Sequence, residues 1–384
     1  MKSKITAIVF IVGLGISIHA SAIVRCDLGG KSVNPNNGNE TVGLTGILRC
    51  KDEDSGKLQR EQELRNGKNI GLERFFDRNG SIVKERTINE RGNTQGVEKT
   101  FWPNGQVKSE ETADNGQTQG TTRQFYDTGK LKRLGFTQER REILEIGFNT
   151  DGSYSELRCH TSSLIAEDKK PCGFQGKADT PLLSQNGKRQ ALSTWEQGKL
   201  LANMGYSDNG DLESDMHFEK GQRVHRKYFE SKSQMREERI FEAGDHVLRS
   251  SQGSLQSLKQ WGSNGQLTLH TRYADGKPNL NERWYLNGAL KEKSSVTGSG
   301  NTARTLRESF SDDGKISSRE TLNADGQVTG LRQMFYGTGK PMREDTYDEP
   351  DARGRSRLMK RKEWDENGNL VADDEILEDG SRKR

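Results

Sequence analysis

The chain has 384 residues, a formal net charge of +4, and 29% hydrophobic against 30% charged residues. A balance this even produces no long-range field, so nucleic acid and anionic lipid are not expected as partners. The low hydrophobic content leans toward disorder, but the small net charge and regularly spaced aromatics argue for a fold.

Lys2 and Lys4 precede an apolar run from Ile5 to Ile18, and Ala20, Ser21 and Ala22 follow. That order predicts a secretory leader over residues 1–22, cleaved after Ala22. The run is short for a membrane span and no comparable stretch follows. A periplasmic or secreted chain is expected, with no integral membrane segment after cleavage. Arg25 before Cys26 does not suit a lipoprotein cleavage site. All four cysteines, Cys26, Cys50, Cys159 and Cys172, lie beyond the leader, and an even count in an exported chain reads as disulfides. Three connectivities are open. The local one, Cys26 to Cys50 and Cys159 to Cys172, is simplest, because each pair sits in a non-repetitive segment.

Beyond the first cysteines the chain repeats itself. Gly80, Gly105, Gly129, Gly152, Gly210, Gly265, Gly288, Gly314, Gly339 and Gly368 each follow an aromatic four residues upstream. In the same order these are Phe76, Phe101, Phe125, Phe148, Tyr206, Trp261, Trp284, Phe310, Phe335 and Trp364. Phe229 takes that place before Ser233, and Leu183 replaces the aromatic before Gly187. Most neighbouring turn glycines are 23 to 26 residues apart, so an internal repeat sets the fold. The residue two after the glycine is usually apolar, as at Ile82, Val107, Leu290 and Leu370.

A three-residue loop, a type I turn closed by a left-handed glycine, explains the spacing. It pairs Phe101 with Val107 and Trp284 with Leu290 on one face of a hairpin. Gly67 with Gly71, Gly92 with Gly96, Gly116 with Gly120 and Gly326 with Gly330 mark connections to the next hairpin. The expected fold is all-β, an elongated antiparallel meander of hairpins with a repeat of about 24 residues. One hairpin buries too little to offset the entropy of ordering it, so each must stack on its neighbours.

The domains expected are the leader at 1–22; repeats with the N-terminal disulfide segment at 23–136; degenerate repeats at 137–260, broken by a cysteine-containing insertion at about 155–182; and repeats with a charged tail at 261–384. The tail holds a basic run, Arg353, Arg355, Arg357, Lys360, Arg361 and Lys362, read as a solvated linker or as a contact for an acidic partner, a lipid headgroup or nucleic acid.

The stretches "NGKNIGLERFFDRNGSIVKE", "RGNTQGVEKTFWPNGQVKSEE", "NGQTQGTTRQFYDTGKLKR" and "DGQVTGLRQMFYGTGKPMREDTY" resemble the MORN-variant repeat, as found in bacterial YwqK-type antitoxin components. Clear matches run over 64–136 and 261–370. The resemblance implies a binding scaffold and, for an exported chain, an immunity or antitoxin protein that neutralises a toxic effector protein.

The residues themselves offer little chemistry. The histidines make no zinc-binding spacing; His217 and His225 are placed so that they could meet across a hairpin. No nucleophile elbow, phosphate loop or dinucleotide fingerprint is present. The recurrent carboxylates Glu85, Glu110, Glu111, Glu292 and Glu344 read as a solvated face, since an active site is needed only once. No catalytic residue, metal or cofactor is expected. An enzyme would need a centre hidden around Cys159, His160 and Cys172. In four units a second aromatic, Trp102, Tyr126, Tyr285 or Tyr336, adjoins the first and must point to the other face. An exposed ladder for protein binding is expected there. An envelope scaffold binding peptidoglycan, lipid or a second copy through open sheet edges is the alternative.

Overall fold

The computed structural model describes residues 24–230, 234–242, 253–351 and 355–383. The expected leader and Arg353 lie outside them. Among the described residues strand makes up 59% and helix 3%, in two antiparallel meanders that do not close into a barrel. Among the described residues one sheet has 12 strands and the other 17. The first runs from Lys31–Ser32 at one edge to Tyr154–Arg158 at the other; the second runs from Ala178–Leu183 to Arg382–Lys383 with every strand beside its neighbour in sequence. Two compact units divide between Ile143 and Leu144.

Turn chemistry builds the hairpins. The ten turn glycines have φ between +77° and +93°, a region closed to most side chains. At Gly105 the amide donates to the Trp102 carbonyl at 2.8 Å, and the Trp102 amide donates to the Gln106 carbonyl at 2.8 Å. The register follows: Phe76 pairs with Ile82, Phe101 with Val107, Trp284 with Leu290 and Trp364 with Leu370. A further bulge lies one residue on, so that Thr100 pairs with Ser109 and not Lys108. This slip carries the residue five after the glycine to the aromatic's own face.

Phe229 is a correction. Its amide donates to the Gln234 carbonyl from inside the loop, and Tyr228 makes the cross-strand pair with Met235. Without a glycine for the left-handed position the loop is one residue longer, which moves the pairing aromatic back by one.

Several hairpins are joined by two-residue turns, among them Asn66-Gly67, Asn115-Gly116, Gln197-Gly198 and Asp275-Gly276, with both residues at positive φ. This is the turn that matches strand twist. Both local disulfides are present: Cys26 bonds Cys50, its direct cross-strand partner, and Cys159 bonds Cys172 to close the insertion.

The apolar core is small. Cys26, Val33, Leu48, Cys50 and Leu64 form one cluster; Trp195, Leu200 and Met216 form another. The repeat aromatics are only half-buried. Several of the most buried side chains are instead polar: Gln62, Glu73, Thr329, Asp345 and Asp374 are all below 2% exposed.

Candidate functional site

Burying a carboxylate is costly unless it is paired and hydrogen-bonded, and the register shows how the pairing arises. On the aromatic face one residue per strand lines up as Arg49, Glu61, Arg74, Glu85, Lys99, Glu110 and Arg123, each the cross-strand partner of the next. Charge alternates at every step. Arg49 meets Glu61 at 3.0 Å, Arg74 meets Glu85 at 2.7 Å and Lys99 meets Glu110 at 3.4 Å.

The larger sheet repeats the device. Asp215, Arg226, Glu238, Lys259, His270, Glu282 and Lys293 succeed one another across strands, followed by Glu308, Arg319, Gln333, Glu344, Lys362 and Asp373. No two like charges adjoin. At Glu238 burial pushes the carboxyl pKa up, but hydrogen bonds from Arg226 and Lys259 outweigh it and hold the carboxyl below its ordinary range. The reading of Glu85, Glu110, Glu292 and Glu344 as a solvated face is corrected. All four are half-buried: Glu85 and Glu110 have cationic cross-strand neighbours on both sides, Glu292 has Arg283 on one side and Glu344 has Lys362 on one side, while Glu111 is exposed.

The opposite face carries a second row, Arg307, Glu320, Arg332, Asp345, Arg361 and Asp374. Its acids are 6%, 1% and 1% exposed, covered by arginines from flanking strands. Arg361 reaches Asp345 at 2.8 Å and Arg332 reaches Glu320 at 3.3 Å. Part of the basic run of the tail thus belongs to the sheet: Arg361 pairs with Asp345 and Lys360 with Asp373. The signal was present in the sequence, because at five of the ten turn glycines the residues six before and five after have opposite signs, as in Lys99 and Glu110 or Lys362 and Asp373.

Trp102, Tyr126, Tyr285 and Tyr336 are half-buried and do not form the expected exposed ladder. Trp102 Nε1 donates to the Phe125 carbonyl, Tyr285 Oη to the Phe310 carbonyl and Tyr336 Oη to the Trp364 carbonyl, at 3.2, 3.0 and 2.7 Å. Each acceptor is the core aromatic of the next repeat, so these side chains staple repeats together. Lysine ammoniums cover the rings of Trp102, Tyr126 and Tyr285. Losing one staple is expected to cost about 1 kcal/mol: Tyr336→Phe should lower the urea midpoint by that equivalent, and an unchanged midpoint would show the bond to be idle.

His217 pairs with Val224 across the hairpin, so His225, one residue on, faces the other side and the two do not meet. His217 Nδ1 lies 3.0 Å from Asp215. His225 packs edge-on against Phe241 with centroids 5.2 Å apart. Burial, then Arg223 and Arg239, push its pKa down, with Lys227 acting in the same direction and Asp215 opposing. The folded chain therefore holds fewer protons than the unfolded one. The stability from His225 is complete above about pH 6.5 and is lost as pH falls through that value toward the folded pKa. Urea midpoints at about pH 7.5 and 5.5 should differ less in His225→Phe than in the parent; an equal difference would remove His225 as a cause.

Cys159 and Cys172 are bonded to each other, so neither offers a thiol nucleophile. His160 Nδ1 accepts from the Ser162 amide at 3.2 Å. Among the described residues no cluster of three or more His, Cys, Asp or Glu side chains could hold a metal ion, and no helix is long and apolar enough to cross a membrane. The arrangement presents two patterned faces suited to non-covalent recognition.

A family model, MORN repeat variant, matches residues 94–115 and 118–139. No curated protein matches the chain. Among solved structures the chain is similar to the Tc holotoxin pore of Photorhabdus luminescens, at 14% identity and TM-score 0.18, covering 88% of this chain and 18% of that one. It is also similar to a Bacteroides fragilis protein described as a 6-phosphogluconolactonase, at 11% identity and TM-score 0.11, covering 85% and 88% of the two chains. A Bacteroides uniformis protein of the same description gives 10% identity and TM-score 0.11, covering 91% and 94%. At these TM-scores the likenesses carry no argument about fold or activity.

Proposed function

We propose that the chain is a non-enzymatic, protein-binding repeat protein of an extracytoplasmic compartment, and that its partner is a toxic effector protein which it neutralises. The observation that carries this reading is the aromatic face of the larger sheet. There a row of half-buried aromatics runs beside a row of opposed charges from strand to strand, a continuous surface able to contact one large partner. Two disulfides suit an oxidising compartment, and the MORN-variant match suits a binding scaffold.

The test is capture of partners by tagged residues 23–384 from envelope extract, followed by co-expression with any exported protein retained in equal amount. Retention of one such protein, with relief of its toxicity, is the expected result. A bait that stays empty, or a partner whose toxicity is unchanged, overturns the neutralising role.

A further inference from the structure

One buried charge on the larger sheet has no opposite. Arg223, on the strand Gln222–Tyr228, is 5% exposed and is the one buried lysine or arginine among the described residues. Buried carboxylates have their donors: Glu73 has Arg60 and Arg86, and Asp345 has Arg343 and Arg361. Arg223 has no acceptor in return. Among the described residues its guanidinium makes no ion pair and no hydrogen bond, and Nε is enclosed without a partner. Burial pushes its pKa down with nothing opposing it. Glu237, on the same face of the sheet, is taken by Arg239 at 2.9 Å and by Gln260 at 3.0 Å.

The surroundings of Arg223 are apolar. Phe218 and Phe241 are its cross-strand neighbours, and Cζ sits 4.6 Å from the centre of the Phe241 ring. His225, two residues on and therefore on the same face, packs against that ring too, with centroids 5.2 Å apart. Its Nε2 is likewise enclosed without a partner and donates when it carries the ring proton. Met216, across from His225, is buried. Two nitrogen groups without acceptors thus stand at one ring inside an apolar collar.

A buried cation left without an anion is costly, and each enclosed nitrogen without an acceptor adds to that. An orphan of this kind calls for an ion or a ligand. The planar guanidinium matches the two oxygens of a carboxylate. The collar suits an apolar body behind that headgroup and disfavours a doubly charged phosphate, which keeps its water at greater cost.

We infer that Arg223 and His225 form a carboxylate-binding site on the face opposite the aromatic one, in which the carboxylate oxygens accept from the Arg223 guanidinium and from His225 Nε2 while an apolar body lies against Phe218, Phe241 and Met216. The carboxylate belongs to a small free acid or to a side chain of a protein partner. The inference goes beyond the effector reading, which rests on the other face.

The probes are butyrate, butyramide, inorganic phosphate and the capped tripeptide acetyl-Val-Glu-Val-amide, titrated against residues 23–384 while the Arg223 Nε–H resonance is followed. Butyrate is expected to move that resonance saturably and to bind at least about tenfold more tightly than butyramide, which has its shape without the charge, or phosphate. Tighter binding by the tripeptide than by butyrate assigns the carboxylate to a protein partner, and the reverse order to a free acid. Followed by calorimetry, Arg223→Met should abolish butyrate binding, and Arg223→Lys, with the charge but without the fork, should weaken it at least about tenfold. The urea midpoint of ligand-free Arg223→Met should equal or exceed that of the parent, because an uncompensated charge leaves the interior. A fall in that midpoint would show the charge to be compensated already, and would overturn the inference. No saturable shift with butyrate or the tripeptide, butyramide or phosphate binding as tightly as butyrate, or full butyrate binding in Arg223→Met would overturn it equally. The titration needs no effector, so its failure and a failed capture remain separate results.

Discussion

Asp345→Ala is expected to lower the stability of the larger sheet by about 3 kcal/mol. The carboxylate is 1% exposed and serves Arg361 at 2.8 Å and Arg343 at 2.7 Å. Removing it leaves two guanidiniums beside an empty site, of which Arg361 is 15% and Arg343 31% exposed. Partial hydration of Arg343 places the cost at the lower end of the range for a broken buried pair. Strands in a repeat array depend chiefly on their neighbours, so exchange should quicken first in Pro341–Tyr347 and Leu358–Trp364. Glu366→Ala, in an exposed turn, should stay within about 0.5 kcal/mol. Hydrogen exchange with urea unfolding separates these outcomes, and equal effects of the two substitutions would show the Asp345 pairings to be energetically empty. Replacing Asp345 and Arg361 together by leucine should recover much of the loss, because the desolvation cost leaves with the charges.

Gly198→Ala should be comparably damaging, at about 3 to 4 kcal/mol, from steric overpacking and left-handed strain combined. Gly198 has φ +72°, and an added Cβ would land on the backbone carbonyl of His160, with Phe174 also 3.0 Å away. Neither side can retreat easily: the Gly198 amide donates to the Cys172 carbonyl at 2.9 Å, and Cys172 is disulfide-bonded to Cys159, next to His160. Gly105→Ala is the comparison. Its φ is +84° but nothing lies within 4 Å of the added Cβ, so only the conformational cost of about 1 kcal/mol applies. Thermal unfolding of both variants tests this, and similar losses would mean that the insertion yields where the contacts say it cannot.

How much was legible before folding depends on how far apart the deciding residues lie. Spacing of aromatic and glycine predicted the hairpin, its three-residue loop and the pairing of Phe101 with Val107, because a turn is settled by a few adjacent residues and by the one φ that glycine alone adopts freely. The local disulfides were legible for the same reason. Where that local signal was missing the reading slipped, and the loss of one glycine moved the pairing aromatic from Phe229 to Tyr228.

Burial was not legible. Glu73 and Glu85 look alike in sequence, yet one is 1% exposed and the other half-buried. The difference comes from Arg60 and Arg86, which reach Glu73 from both flanking strands. Trp102 and Tyr336 looked like exposed contacts because their acceptors lie 23 and 28 residues away, in the next repeat. The repeat, its turns and its register were therefore determined by the sequence alone. Only the tertiary structure decided which polar side chains are enclosed and where the meander opens, since both depend on side chains and edges that strand stacking brings together.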